Sequence, residues 1–175
     1  MNFLPTNYQL PKSDNHYLKL EAGDNTFRIL SPAVTGWKYW EDANGTTLEN
    51  PVKGCKPKYV HQREAAPSKA RHCWLFTVWN YTDKQVKILE LTQNSVMKDI
   101  AKYVHNDQWG NPRTYDFNIY KRGEGLNTDY QVTVNPKQKL EPTVLEAYKA
   151  AQIDLEAFFR GDDPFNVGEG SSTTA

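Results

Sequence analysis

Cysteine is scarce in this chain: Cys55 and Cys73 are the only two among 175 residues. A small secreted domain held by cross-links carries more of them at framework-like spacings, so these two read as reduced thiols, one in a loop and one in a strand. Long hydrophobic runs are missing too. No stretch is long or apolar enough to span a bilayer, and the N-terminus has no basic-then-apolar leader, so a cytoplasmic protein without membrane contact is expected. Catalytic signatures are equally absent. The chain holds no Walker loop, no Gly-x-Gly-x-x-Gly, no His-Glu-x-x-His and no Gly-x-Ser-x-Gly. Acids and histidines are scattered without a paired constellation, and neither catalysis nor a cofactor is expected.

Metal ligation fares little better. Cys55, His61, His72 and Cys73 lie close in sequence, but structural zinc sites pair ligands as Cys-x(2–4)-Cys or His-x(3–5)-His, and neither pattern occurs. In a strand, His72 and Cys73 point to opposite faces. No metal is assigned.

Net charge is also lacking, since 21 Lys and Arg balance 21 Asp and Glu. The balance hides an asymmetry. Residues 51–90 carry eight bases against three acids (Glu64, Asp83, Glu90), a net of +5, whereas residues 141–175 carry two bases against seven acids, a net of −5. A locally basic segment suits a polyanion, and an acidic tail can compete for it or recruit basic partners.

What the chain does have is aromatic density on either side of that basic segment. Gly36-Trp37-Lys38-Tyr39-Trp40 and His72-Cys73-Trp74-Leu75-Phe76-Thr77-Val78-Trp79-Asn80-Tyr81 both read as strands. Lys53, Lys56, Lys58, Tyr59, Arg63, Lys69 and Arg71 lie between them. Aromatic faces on a sheet beside a basic loop suit a flexible polyanion whose bases can stack. The expected stacking residues are Trp37, Tyr39, Trp40, Tyr59, Trp74, Phe76 and Tyr81. The expected phosphate contacts are Lys38, Lys56, Lys58, Arg63, Lys69 and Arg71, with Lys121 and Arg122 on a later hairpin as a second wall.

The periodicities predict a mainly β fold with helices. Residues 1–16 read as a flexible arm, 17–160 as one domain and 161–175 as an acidic, disordered tail. Tyr17–Leu20 and Asn25–Leu30 read as strands around the turn Ala22-Gly23-Asp24-Asn25, and Trp37–Glu41 as a third. Residues 46–71 show no period and read as a long loop. His72–Tyr81 and Gln85–Leu91 form a hairpin. A helix over Gln93–His105 follows, with Thr92 as N-cap and Val96, Met97, Ile100 and Val104 on its apolar stripe. Tyr115–Lys121 and Asp129–Val134 form a second hairpin, and Glu141–Phe159 reads as one helix with Pro142 at its start. Alternating strands with a helix after the middle hairpin predict an OB-fold-like Greek-key barrel with a C-terminal helix.

Asn25-Thr26-Phe27-Arg28-Ile29-Leu30, Gly36–Trp40, Arg71-His72-Cys73-Trp74 and Val78-Trp79-Asn80-Tyr81 together resemble bacteriophage single-stranded-DNA-binding proteins related to the T4-type helix-destabilising protein. The resemblance covers about residues 17–165 and includes Trp109-Gly110-Asn111-Pro112 and Tyr115-Asp116-Phe117. It implies an OB-fold that coats single strands in phage DNA replication, recombination and repair, in the host cytoplasm and without catalysis. Lys69 and Arg71 leading into Trp74 match that family's basic approach to its cleft. Asp162-Asp163-Pro164-Phe165 is similar to the acidic Pro-Phe tip of bacterial single-strand binders, which implies contacts with replication or recombination proteins. The family's zinc cluster and its basic N-terminal motif are not reproduced; Lys12 is the only base before Lys19.

Two other classes use the same residues. A carbohydrate-binding module also presents Trp and Tyr on a sheet, without needing the basic loop. A phage structural module is the third reading.

Overall fold

The computed structural model describes residues 3–6, 8 and 15–165. Most of the expected N-terminal arm, and residues 166–175 of the expected tail, lie outside the described residues.

The chain builds one antiparallel sheet of eight strands around a doubly apolar segment. That segment is β5 (Arg71–Asn80), in which Phe76 and Val78 face one side and Cys73 and Leu75 the other. One of its edges pairs with β6 (Gln85–Leu91). Along the other edge lie β2 (Val34–Glu41), beside the start of β5, and β1 (Gly23–Ile29), beside its end. β1 and β2 are successive parts of one path, bent at Ser31-Pro32, where the Ser31 hydroxyl accepts from the Thr77 amide at 2.8 Å. The inserted strands β3 (Thr47–Leu48) and β4 (Pro57–Val60) both pair with β2. β7 (Asp116–Arg122) pairs with β1, and β8 (Asp129–Val134) with β7.

In chain order β1, β5, β6 and β7 lie side by side as β6-β5-β1-β7, so the fourth returns beside the first in a Greek key. Helix α1 (Asn94–Val104) follows β6 and packs against β8. The result is a mainly β, partly open barrel with a helix after the middle hairpin, as its patterning predicted. Helices α2 (Pro142–Ala151) and α3 (Ala157–Arg160) come last.

Two cores result. Inside the barrel, Phe27, Phe76, Val78, Leu89, Leu91, Phe117 and Ile119 meet Val96, Met97 and Ile100 of α1. Outside it, Cys73, Leu75 and Ile88 are covered by Tyr59 and by Ile153, Leu155, Phe158, Phe159 and Phe165 from the C-terminal segment. The contact is close at Gly36, where an added Cβ would lie 2.5 Å from Phe159 and 2.8 Å from the Val60 carbonyl. A third, polar anchor sits on β1. Arg28 is 1% exposed; its Nε donates to Asp116 at 2.5 Å, and its Nη1 donates to the carbonyls of Arg113 and Gln138. Each added bond satisfies a proton that burial would otherwise strand.

Several local expectations change. Tyr17–Leu20 does not pair across the turn with β1. Tyr17 bridges Ile88 in parallel, and Asn25 closes the turn itself by donating to the Glu21 and Ile119 carbonyls. The structureless stretch 46–71 contains β3 and β4, whose pairing with β2 no internal period announces. Thr92 is not the cap of α1: Gln93 occupies that position without a side-chain bond. The single helix over Glu141–Phe159 stops at Gln152, in left-handed geometry (φ 47°, ψ 50°). Asp154 then accepts from the Glu156 amide at 3.1 Å, turning the chain so that Leu155 and Phe158 face the sheet.

The tail expectation changes as well. Pro164 is buried and its carbonyl accepts from the Asp154 amide at 2.9 Å, while the Phe165 ring lies 4.4 Å from His16 and 5.8 Å from Tyr17. Asp162 pairs with Arg160 at 3.3 Å. Pro164 and Phe165 are therefore part of the outer cover, while Asp162 and Asp163 beside them stay exposed.

Gly36→Ala should lower the unfolding free energy by about 1–3 kcal/mol, the range for an overpacked contact. An unchanged urea midpoint would show that Phe159 and β4 move aside freely.

Candidate functional site

Strand alternation places Trp37 and Tyr39 on one face of β2 and Lys38 and Trp40 on the other. The register sets Trp37 opposite His72, and Lys38 opposite Arg71. Two clefts open at this end of the sheet and share Arg71 and Thr92. The larger, about 610 Å³, is lined by Trp37, Ala70, Arg71, His72, Thr92 and Asn94. The smaller, about 60 Å³, is lined by Lys38, Tyr39, Trp40, Leu48, Glu49, Lys69, Arg71 and Thr92. Lys69 and Arg71 are exposed, and neither pairs with a carboxylate among the described residues. Trp37, Tyr39 and Trp40 are half-buried. The fold thus brings together Trp37, Tyr39, Trp40, Lys69 and Arg71, with Arg63 above Trp37.

Other expected contacts are already committed elsewhere. Lys38 Nζ lies 2.5 Å from Glu90 Oε1, between the rings of Trp40 (5.2 Å) and Tyr59 (5.9 Å). Lys58 pairs with Glu41 at 2.7 Å, and that hydrogen bond raises its pKa. Lys56 and Lys58 line a separate groove of about 750 Å³ that also contains Tyr17, Asp162 and Asp163. The basic segment is therefore divided between two places, and only one of them is free of a facing pair of aspartates.

Five of the expected stacking aromatics are engaged elsewhere. Phe76 is 2% exposed inside the barrel, because its face of β5 is the one that α1 covers. Tyr59 is 8% exposed, in the outer core; its hydroxyl donates to Glu90 at 2.5 Å, and burial above all raises its pKa. Tyr81 stands beyond the far end of β5 and donates to Asp116 at 2.8 Å; burial first, then that bond, pushes its pKa up to about 12. Trp37 is already engaged, with Arg63 over its ring at 4.9 Å and His72 tilted against it at 5.0 Å. Trp74 is half-buried against the barrel core and walls a further, apolar cavity of about 340 Å³ with Ile29, Phe76 and Ile100.

Lys121 and Arg122 do not form a second wall. Phe27 of β1 lies opposite both Asn80 and Phe117, and Lys121 continues away from Arg71 to the opposite end of the sheet. There Lys121 donates to the Leu20 carbonyl at 3.3 Å and Arg122 pairs with Asp129 at 3.0 Å.

Sequence reasoning missed Thr92, Asn94 and His72 as lining of the larger cleft, as well as the carboxylates Glu41 and Glu90 that occupy two lysines. Nothing in a one-dimensional pattern marks them, because each meets its neighbours only through tertiary contact. Among the described residues no group of three or more His, Cys, Asp or Glu is arranged to hold a metal ion, and no helix is long and apolar enough to cross a membrane. No family model, curated protein or solved structure matches the chain.

The two thiols differ sharply. Cys73 is fully buried, and burial pushes its pKa up to about 12, while Cys55 is only partly covered. A disulfide reagent at pH 8 should titrate one thiol in the native protein and two after denaturation. Two fast-reacting native thiols would mean that the outer core opens readily.

Proposed function

We propose that this protein binds single-stranded DNA without sequence preference. The observation that carries the reading is the cleft at the joined ends of β2 and β5. There the half-buried rings of Tyr39 and Trp40 adjoin Lys69 and Arg71, two exposed cations without carboxylate partners among the described residues. Aromatic surface beside unpaired cations is the combination that holds a flexible strand, since any base can stack and any phosphate can pair. The barrel adds support. OB-type barrels bind oligonucleotides through the face of their second and third strands and the loop after the first. Here that face, on β5 and β6, is covered by the C-terminal segment, which leaves the loop after β2 and the mouth beside Arg71.

The sequence resemblance to phage helix-destabilising proteins selects DNA as the ligand. It also selects replication, recombination or repair in the host cytoplasm as the setting. Binding needs no catalytic group. Asp162–Phe165 are left out of the proposed interface, because Phe165 is docked against His16 and Tyr17 and the two aspartates are acidic.

Titrating intrinsic tryptophan fluorescence with oligo-dT at several salt concentrations, with duplex DNA as control, tests the reading. Single strands should quench strongly and duplex weakly. Replacing Lys69 and Arg71 together by Ala should lower the slope of log affinity against log salt by about 1.4, at ~0.7 per phosphate contact on a single strand. Absence of binding at low salt would overturn the proposal and favour the carbohydrate-binding alternative, to be pursued by a glycan screen.

A further inference from the structure

We infer that the larger cleft is a phosphate subsite, in which Arg71 and His72 hold one phosphate of the bound strand at the start of α1; this rests on the reading of a single-stranded ligand. The cleft is ill suited to a base. Its one large ring, Trp37, already carries the Arg63 guanidinium on its face and the His72 imidazole at 5.0 Å and 49°. A base stacking on the face that Arg63 covers would have to displace Arg63, whose Nη1 is tied to the carbonyls of Ala66 and Pro67.

The remaining lining is rich in donors. Arg71 contributes a guanidinium, Asn94 an amide and Thr92 a hydroxyl, and no carboxylate lines the cleft. His72 supplies the independent sign of a missing partner. Its Nδ1 is buried without a hydrogen-bond partner, and buried polar groups of native proteins are nearly always paired, to protein, water or ligand. A phosphate oxygen accepts from a guanidinium fork directly, and from the buried imidazole Nδ1–H once the ring turns toward the cleft. A nucleobase edge or a sugar hydroxyl would leave the guanidinium charge uncompensated. Arg71 also lines the neighbouring aromatic cleft, so a phosphate seated beside His72 adjoins a nucleoside that can reach Trp40.

His72→Phe tests the subsite, because it keeps an aromatic ring against Trp37 and removes both ring nitrogens. Affinity for oligo-dT should fall about five-fold, the worth of one hydrogen bond, with the urea midpoint reported beside it. Independently of any variant, the 15N resonance of His72 in the wild-type protein should move on adding thymidine 3′,5′-bisphosphate and stay still with thymidine. Oligo-dT with and without a 5′-phosphate separates the sources. Equal shifts assign an internal phosphodiester, and a shift only with the 5′-phosphate assigns a strand end. If the wild type binds oligo-dT while the His72 resonance and the His72→Phe affinity stay unchanged, the subsite is wrong and the binding reading stands. If the wild type binds no oligonucleotide, the underlying reading falls.

Discussion

A strand with apolar side chains on both faces has to be covered twice, and β5 is such a strand. Phe76 and Val78 demand a lid on one side, Cys73 and Leu75 on the other. Helix α1 and the curl of the barrel answer the first demand. The second is met by chain that arrives from far away in sequence: Tyr59 from β4 and the segment from Ile153 to Phe165. The fit requires Phe159 to lie against bare backbone at Gly36, where any side chain would collide. Close-packed interiors tolerate little slack, so this single approach ties β2, β4 and the C-terminal segment into one unit.

That cover decides where a ligand can go. With the outer face of β5 and β6 closed, accessible aromatic and basic groups meet where β2 outruns the barrel, beside Arg71. Carboxylates then sort the cations. Glu90 holds Lys38 beneath Trp40, Glu41 holds Lys58, and Asp162 and Asp163 share a groove with Lys56. Lys69 and Arg71 are left exposed, with no carboxylate partner among the described residues. A lysine engaged in a half-buried pair acts chiefly by fixing its neighbours, and Lys38 does so between the rings of Trp40 and Tyr59.

Polar burial holds the other end of the molecule. Arg28 and Asp116 join β1 to β7 within reach of Tyr81, and the same guanidinium gathers the Arg113 and Gln138 carbonyls. Removing one partner of such a pair leaves a buried charge, which is far more costly than never having had the pair. The arrangement absorbs Tyr81, whose type alone suggested a ligand contact.

Sequence by itself determined the element types wherever a period ran long enough to be unambiguous. The β5–β6 and β7–β8 hairpins, the α1 stripe of Val96, Met97 and Ile100, and the Pro142 helix start were all legible, because local alternation or spacing encodes which side must be buried. It also placed Lys69, Arg71 and the β2 aromatics together in one candidate site. Only the tertiary structure decided which aromatics are free, which cations are neutralised and where the C-terminal segment goes. Phe76 and Trp40 look alike in a strand pattern, and what separates them is the lid each face receives. That lid is set by contacts between residues as distant as Gly36 and Phe159, a separation over which no local pattern carries information.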